Sequence, residues 1–232
     1  MTFSRIALAA ALLAGTASAQ AQSYGFSCVT NNAAASCADG VANLSMNVRP
    51  GADPNSVAFT FTNFSSSSPS SSVTALSFAD SSVLAGAVVT NGSGVQISQV
   101  GGASPSNMPG ASSLATPFVT AAGFAIDFSS GSTAPGIENL SVGGTQEFVT
   151  INFALKSGKT YADLLGALDG PLGDGNDLRV GLYVRGFAMP YGSTLSESFV
   201  NASAVPEPGG VWAIGLVAAC AVMMRRQIRP RA

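Results

Sequence analysis

The stretch Leu178-Arg179-Val180-Gly181-Leu182-Tyr183-Val184-Arg185 alternates a branched apolar residue with something else at every second position. Successive side chains of an extended chain point to opposite faces, so a period of two predicts a strand with one buried and one wet face. The same period recurs to either side. Leu44, Met46 and Val48 show it, as do Val57, Phe59 and Phe61; Phe124, Ile126 and Phe128; and Val149, Ile151, Phe153 and Leu155. Weaker runs at 73–79, 83–89, 95–100 and 197–202 bring the expectation to about eight or nine short strands, punctuated by Gly, Pro, Asn and Ser. This pattern predicts an all-β fold over residues 22–204, an antiparallel β-sandwich of jelly-roll or Ig-like kind. About 180 residues are enough to bury a two-sheet core.

One segment breaks the period. Thr160 followed three positions later by Asp163 has the form of a capping box, and Tyr161, Leu164, Leu165 and Leu168 make an apolar stripe at helical spacing before Gly170-Pro171. One short helix is therefore expected, its leucines covering an end of the sandwich. Two loops stand out: Ser65–Ser72, low in complexity and expected to be exposed and mobile, and the long Gly/Ser/Pro stretch Gly101–Pro117, expected to be a binding loop or disordered.

Composition narrows the chemistry. The 232 residues include no His, which removes Ser-His-Asp and Cys-His catalysis and every His-ligated metal site. Charged residues are only 9 % of the chain, and the net charge of −2 argues against a nucleic-acid partner. That charge is unevenly spread. Arg5 alone precedes residue 20, four arginines follow Met224, and all the acids lie between. Positive ends beside apolar runs are what membrane topology reads.

Residues 1–21 have the parts of a secretory signal peptide: Arg5, the apolar run Ile6–Gly15, and an Ala17-Ser18-Ala19 site with cleavage before Gln20, or before Gln22 after Ala19-Gln20-Ala21. The sequence 205–232 mirrors this. Pro206-Glu207-Pro208 precedes the apolar run Gly209–Met224, and Arg225-Arg226 follows. As a helix that run rises about 24 Å, short of a hydrocarbon core of about 30 Å but able to span it if the arginines snorkel. The positive-inside rule puts the arginines in the cytoplasm and the rest of the chain outside.

In these residues the chain resembles the PEP-CTERM proteins of Gram-negative bacteria: the Pro206-Glu207-Pro208 motif, the transmembrane helix 209–224 and the basic tail 225–232 with Arg225 and Arg226. The resemblance implies an exosortase as processing partner, cutting near the motif, and a place at the outer surface or in the extracellular exopolysaccharide and biofilm matrix. Before processing the protein would be anchored in the inner membrane. The block Gly158–Phe187 with Ser196–Phe199 is similar to the last part of many PEP-CTERM ectodomains and implies no activity.

The remaining candidates carry less. Cys28 and Cys37 are expected to form a disulfide in an oxidising compartment, the alternative being two idle thiols; Cys220 lies in the apolar run. Asp169, Asp174, Asn176 and Asp177 could hold Ca²⁺ or be plain turn residues. An acid-only hydrolase needs two carboxylates together, and nothing in the sequence pairs any; Asp127 reads as solvated. Tyr24, Tyr183 and Tyr191 could stack on sugar rings. The expectation is a non-enzymatic exported protein with no cofactor. A carbohydrate-binding module is the first alternative and a Ca²⁺-dependent or acid-only hydrolase the second.

Overall fold

The computed structural model describes residues 20–66, 71–79, 82–102, 105–127, 136–139, 144–170, 177–188 and 194–205. Residues 1–19, which cover most of the expected signal peptide, Phe128, and everything from Pro206 onward lie outside them. Among the described residues no helix is long and apolar enough to cross a membrane.

The chain runs β1 (Gln22–Cys28), α1 (Ala34–Asn43), β2 (Leu44–Pro50), β3 (Ser56–Asn63), β4 (Ser72–Ala79), β5 (Leu84–Asn91) and β6 (Ile97–Val100). A 3-10 turn at Ala111–Ser113 leads to β7 (Thr120–Ile126) and β8 (Val149–Leu155). Then come α2 (Tyr161–Asp169), β9 (Val180–Ala188) and β10 (Thr194–Val205). The fold is all-antiparallel β, as the alternation predicts. The ten strands form one sheet rather than two, in the order β5-β8-β3-β2-β1-β10-β9-β4-β7-β6.

That sheet curls until its edges meet. Register shifts interrupt the pairing at Tyr24/Phe26, Leu195/Ser196, Val73/Ala75, Phe78/Ala79 and Ala85/Ala87. Each bulge bends its strand and adds right-handed twist. The edge strands β5 and β6 come together at one end, where the Asn91 side chain donates to the Ile97 carbonyl (2.9 Å) and accepts from the Ile97 N–H (3.1 Å). Farther along they diverge, leaving a cavity of about 230 Å³ lined by Ala85, Gly86, Ala87, Gln99, Ala122 and Phe153.

Phenylalanines from both wings of the sheet fill the interior. Phe78 of β4 lies edge-on to Phe59 (5.2 Å between centroids), Phe61 (6.1 Å), Phe124 (5.8 Å) and Phe153 (4.8 Å). Edge-to-face packing suits the ring quadrupole and adds about 0.5–1.5 kcal/mol per pair beyond burial. Helix α2 closes one end. The Asp163 N–H donates to Thr160 Oγ1 (3.2 Å) and the Thr160 N–H to Asp163 Oδ2 (2.8 Å), completing the box, while Leu164 and Leu168 enter the core.

Besides the single sheet in place of a two-sheet sandwich, three sequence expectations need correction. Among the described residues there are two α-helices, not one. Helix α1 was not legible because Ala33 at its N-cap offers no side-chain bond and Gly40 sits inside it. Strand β1 was missed because only Tyr24 and Phe26 mark its buried face. The Ser65–Ser72 loop is anchored at both ends: Ser65 and Ser71 are buried, the Ser65 hydroxyl donates to Asp39 (2.9 Å), and the Asn63 amide donates to the Ser71 carbonyl (2.6 Å).

Candidate functional site

Three places concentrate the chemistry of the described residues. The first joins the two ends of the chain. Cys28 and Cys37 form a disulfide with Cα atoms 5.5 Å apart, tying β1 to α1. Beside it, on β10, lies the fully buried Glu197. Its carboxylate accepts from the Asn32 N–H (3.0 Å), the Ala33 N–H (2.9 Å), the Ser36 hydroxyl (2.7 Å) and the Thr30 hydroxyl. A carboxylate at a helix start satisfies backbone donors that have no intrahelical partner. Thr30 Oγ1 in turn accepts from the Ser198 N–H (2.9 Å). Two residues beyond Glu197, Phe199 packs where a Cβ at Gly40 would collide with its ring, which accounts for the glycine inside the helix.

Burial pushes the Glu197 carboxyl up, but the donors from Thr30, Asn32, Ser36 and Ala33 outweigh it and hold the group below its ordinary value. The two sulfurs and the carboxylate lie within 4.8 Å of one another. With the sulfurs bonded together and both carboxylate oxygens already accepting, the cluster reads as a structural clasp. No sequence signal marked Glu197, because its donors come from a segment more than 160 positions away.

The second place is the long loop. Its 105–118 portion lies over the outer face of β4 and β9, where Met108, Ala111 and Phe118 form a satellite core with Ala79. Arg179, expected on a wet face, is 7 % exposed because this loop covers it. Its guanidinium donates to the carbonyls of Thr116 and Pro117 (2.7 Å each), pairs with Asp177 (3.3 Å) and stacks over Phe118 at 5.3 Å. A Cβ at Gly181 would press into Met108, so the glycine keeps the loop close to the strand. The Arg179→Ala change is expected to cost about 2–3 kcal/mol. It should also make the 105–118 segment several times faster to cleave in limited proteolysis. Unchanged cleavage would mean that Arg179 does not hold the loop.

The third is the pair Glu138 and Glu147. Glu147 is buried and accepts from the Glu138 N–H at 2.6 Å. Burial first, and then the neighbouring Glu147, raise the Glu138 carboxyl above its ordinary value. The cavity lined by Ala85, Gln99 and Phe153 does not include this pair.

The other sequence candidates are dispersed. Asp169 and Asp177 lie at opposite ends of a segment whose Asp174 and Asn176 are outside the described residues, and Asp177 is committed to Arg179. Tyr24 is buried, with burial and then Asp169 raising its hydroxyl; Tyr183 is half-buried and donates to Ser196 Oγ (2.9 Å). Tyr191, Cys220, Pro206, Glu207, Pro208, Arg225 and Arg226 lie outside the described residues. Phe64 is the one aromatic among the large exposed apolar side chains described, so no pair of exposed rings forms a sugar platform there. Asp127 is exposed.

The ends of the described chain lie side by side. Strand β1 pairs with β10 in the register Ser23↔Val205 and Tyr24↔Ala204, in the middle of the sheet. Residues 20–22 and Val205 therefore leave the barrel at the same end, next to the β2–β3 turn and the start of α2. There the Tyr161 hydroxyl lies 2.8 Å from the Val48 carbonyl and 3.0 Å from that of Gln20. Among the described residues this end balances Arg49, Lys156, Lys159 and Arg179 against Asp53, Asp163, Asp169 and Asp177. The opposite end sets Asp39, Asp127, Glu138, Glu147 and Glu197 against Arg185.

Comparison with family models, with curated proteins and with solved structures finds no match to this chain.

Proposed function

We propose that the protein is an exported, non-enzymatic β-domain, delivered by an N-terminal signal peptide. Its C-terminal signal has the PEP-CTERM form and is processed by an exosortase. The mature domain then takes its place at the outer surface or in the exopolysaccharide matrix. The observation that carries this reading is the order Pro206-Glu207-Pro208, apolar Gly209–Met224, Arg225-Arg226. The pairing of β1 with β10 supports it, because the leader-side and motif-side ends of the domain then address one membrane from one end of the barrel.

A domain built to persist outside the cell needs covalent and hydrogen-bonded closure more than a catalytic cleft. The Cys28–Cys37 bond, worth about 2–3 kcal/mol for a loop this short, and the Glu197 clasp around it are closures of that kind. The absence of His from the whole chain further weighs against hydrolytic chemistry.

The mature protein isolated from cells producing the full chain is expected to lack Trp212, the one tryptophan, when its mass is measured. A chain with Ala at 206, 207 and 208 should keep it and stay in the membrane fraction. A mature wild-type protein that retains Trp212 would overturn the processing. The same measurement places the leader cut, since removal before Gln22 also takes away the Gln20 carbonyl that Tyr161 reaches.

A further inference from the structure

We infer that, in the membrane-held precursor, the end of the barrel from which both chain termini leave rests against the phospholipid head groups, with the acidic end pointing away. This rests on the sorting reading above, in that it takes Gly209–Met224 as the membrane segment.

Two observations carry it. The first is reach. Val205 is still hydrogen-bonded into the sheet, paired with Ser23, and the apolar run begins at Gly209. Four residue steps of fully extended chain span at most about 14 Å. The polar layer on each side of a bilayer is roughly 5–8 Å deep. The terminal end of the barrel is therefore confined to the head-group layer or just above it, whatever path the chain takes. The nine residues of β9 run about 30 Å along the strand, or roughly 20–25 Å along the barrel axis at the usual tilt, so the other end stands clear of the head groups.

The second is charge. Bacterial lipids with anionic head groups attract cations and repel carboxylates within a Debye length of about 8–10 Å. The terminal end is balanced: it presents Arg49 and Lys156 on its surface beside Asp53, Asp163 and Asp169, with Lys159 half-buried. The opposite end carries Asp39, Asp127 and Glu138 at or near its surface against Arg185 among the described residues, Glu147 and Glu197 being buried. Inverting the domain would break the tether and also bring that acidic end to the lipid. The β2–β3 turn at 51–55 and the turn at 156–160 are thus the contact surface.

The full chain carrying Cys220→Ala keeps only the disulfide cysteines. It can be placed in nanodiscs of phosphatidylglycerol and phosphatidylethanolamine containing gadolinium-chelating lipid. A nitroxide at Ser157→Cys, or at Asn55→Cys if the first folds poorly, reports the terminal end; one at Ser93→Cys reports the other. Relaxation at 157 or 55 is expected to rise several-fold over that at 93. Equal relaxation at both ends, or none at 157 and 55, would overturn the inference. Trp212 separates the two levels of the claim through quenching by brominated acyl chains. Quenched Trp212 with no relaxation at 157 and 55 sinks the orientation and leaves the sorting reading standing. Unquenched Trp212 sinks the sorting reading and the orientation with it.

Discussion

Replacing Phe78 by Ala is expected to remove about 4–5 kcal/mol of stability, enough to unfold a domain of ordinary marginal stability. Phe78 is the point where the two wings of the sheet meet. It is 1 % exposed and lies edge-on to rings from β3, β7 and β8. The truncated side chain would leave a cavity that four rigid rings cannot collapse to fill, so the loss is the transfer term plus the cavity term. Phe78→Leu, which keeps most of the volume, should cost about 1–3 kcal/mol. Phe64→Ala, at a half-exposed ring, should stay within about 0.5 kcal/mol. Denaturant midpoints at constant slope read all three. A loss below about 1 kcal/mol for Phe78→Ala would mean that the wings do not meet there and that the sheet is open.

Glu197→Ala should cost about 3–5 kcal/mol, because it strands the Asn32 and Ala33 N–H groups together with the Ser36 and Thr30 hydroxyls. Cys28→Ser alone should cost about 2–3 kcal/mol. The double variant should lose clearly less than both together, since the disulfide and the carboxylate hold the same helix against the same strand. Full additivity would show that they act separately.

The pH dependence follows from the depressed Glu197 carboxyl. A group whose pKa is lower folded than unfolded stabilises the fold fully above its unfolded value, and that contribution is lost as pH falls through the folded one. Stability should therefore decline on acidification below about pH 4.5, and the Glu197→Ala variant should decline less steeply. Glu138 acts in the opposite sense. Its raised carboxyl favours the fold as pH falls, so Glu138→Gln should steepen the acid loss. Thermal midpoints between pH 3 and 7 test both signs at once.

Much of the fold was legible because alternation survives wherever one face of a strand is buried. Met46 and Val48, Phe59 and Phe61, Ile151 and Phe153, and Leu182 and Val184 all turn inward as their spacing predicts. The α2 capping box was equally readable, because its bonds run between residues three apart. Where the pattern misled, a distant segment had changed the environment. Arg179 and Gly181 sit on the face the alternation calls wet, yet the 105–118 loop buries them. Helix α1 has neither cap nor apolar stripe, and its support comes from Cys28, Glu197 and Phe199 on strands flanking it in space.

The division follows the range of the interactions. Signals that act within a few residues, namely strand period and helix cap, can be read along the chain, as can the Pro-Glu-Pro motif and the charges around the apolar ends on which the proposed sorting rests. The closure of ten strands into one curled sheet, the ring cluster at Phe78, the Glu197 clasp and the meeting of β1 with β10 join residues tens to more than a hundred positions apart. Such contacts depend on which strand edges pair and on where bulges bend the sheet, and neither is written in local periodicity. Only in three dimensions does the segment at Gln22 become the neighbour of the segment before Pro206, so that both leave the barrel at one end.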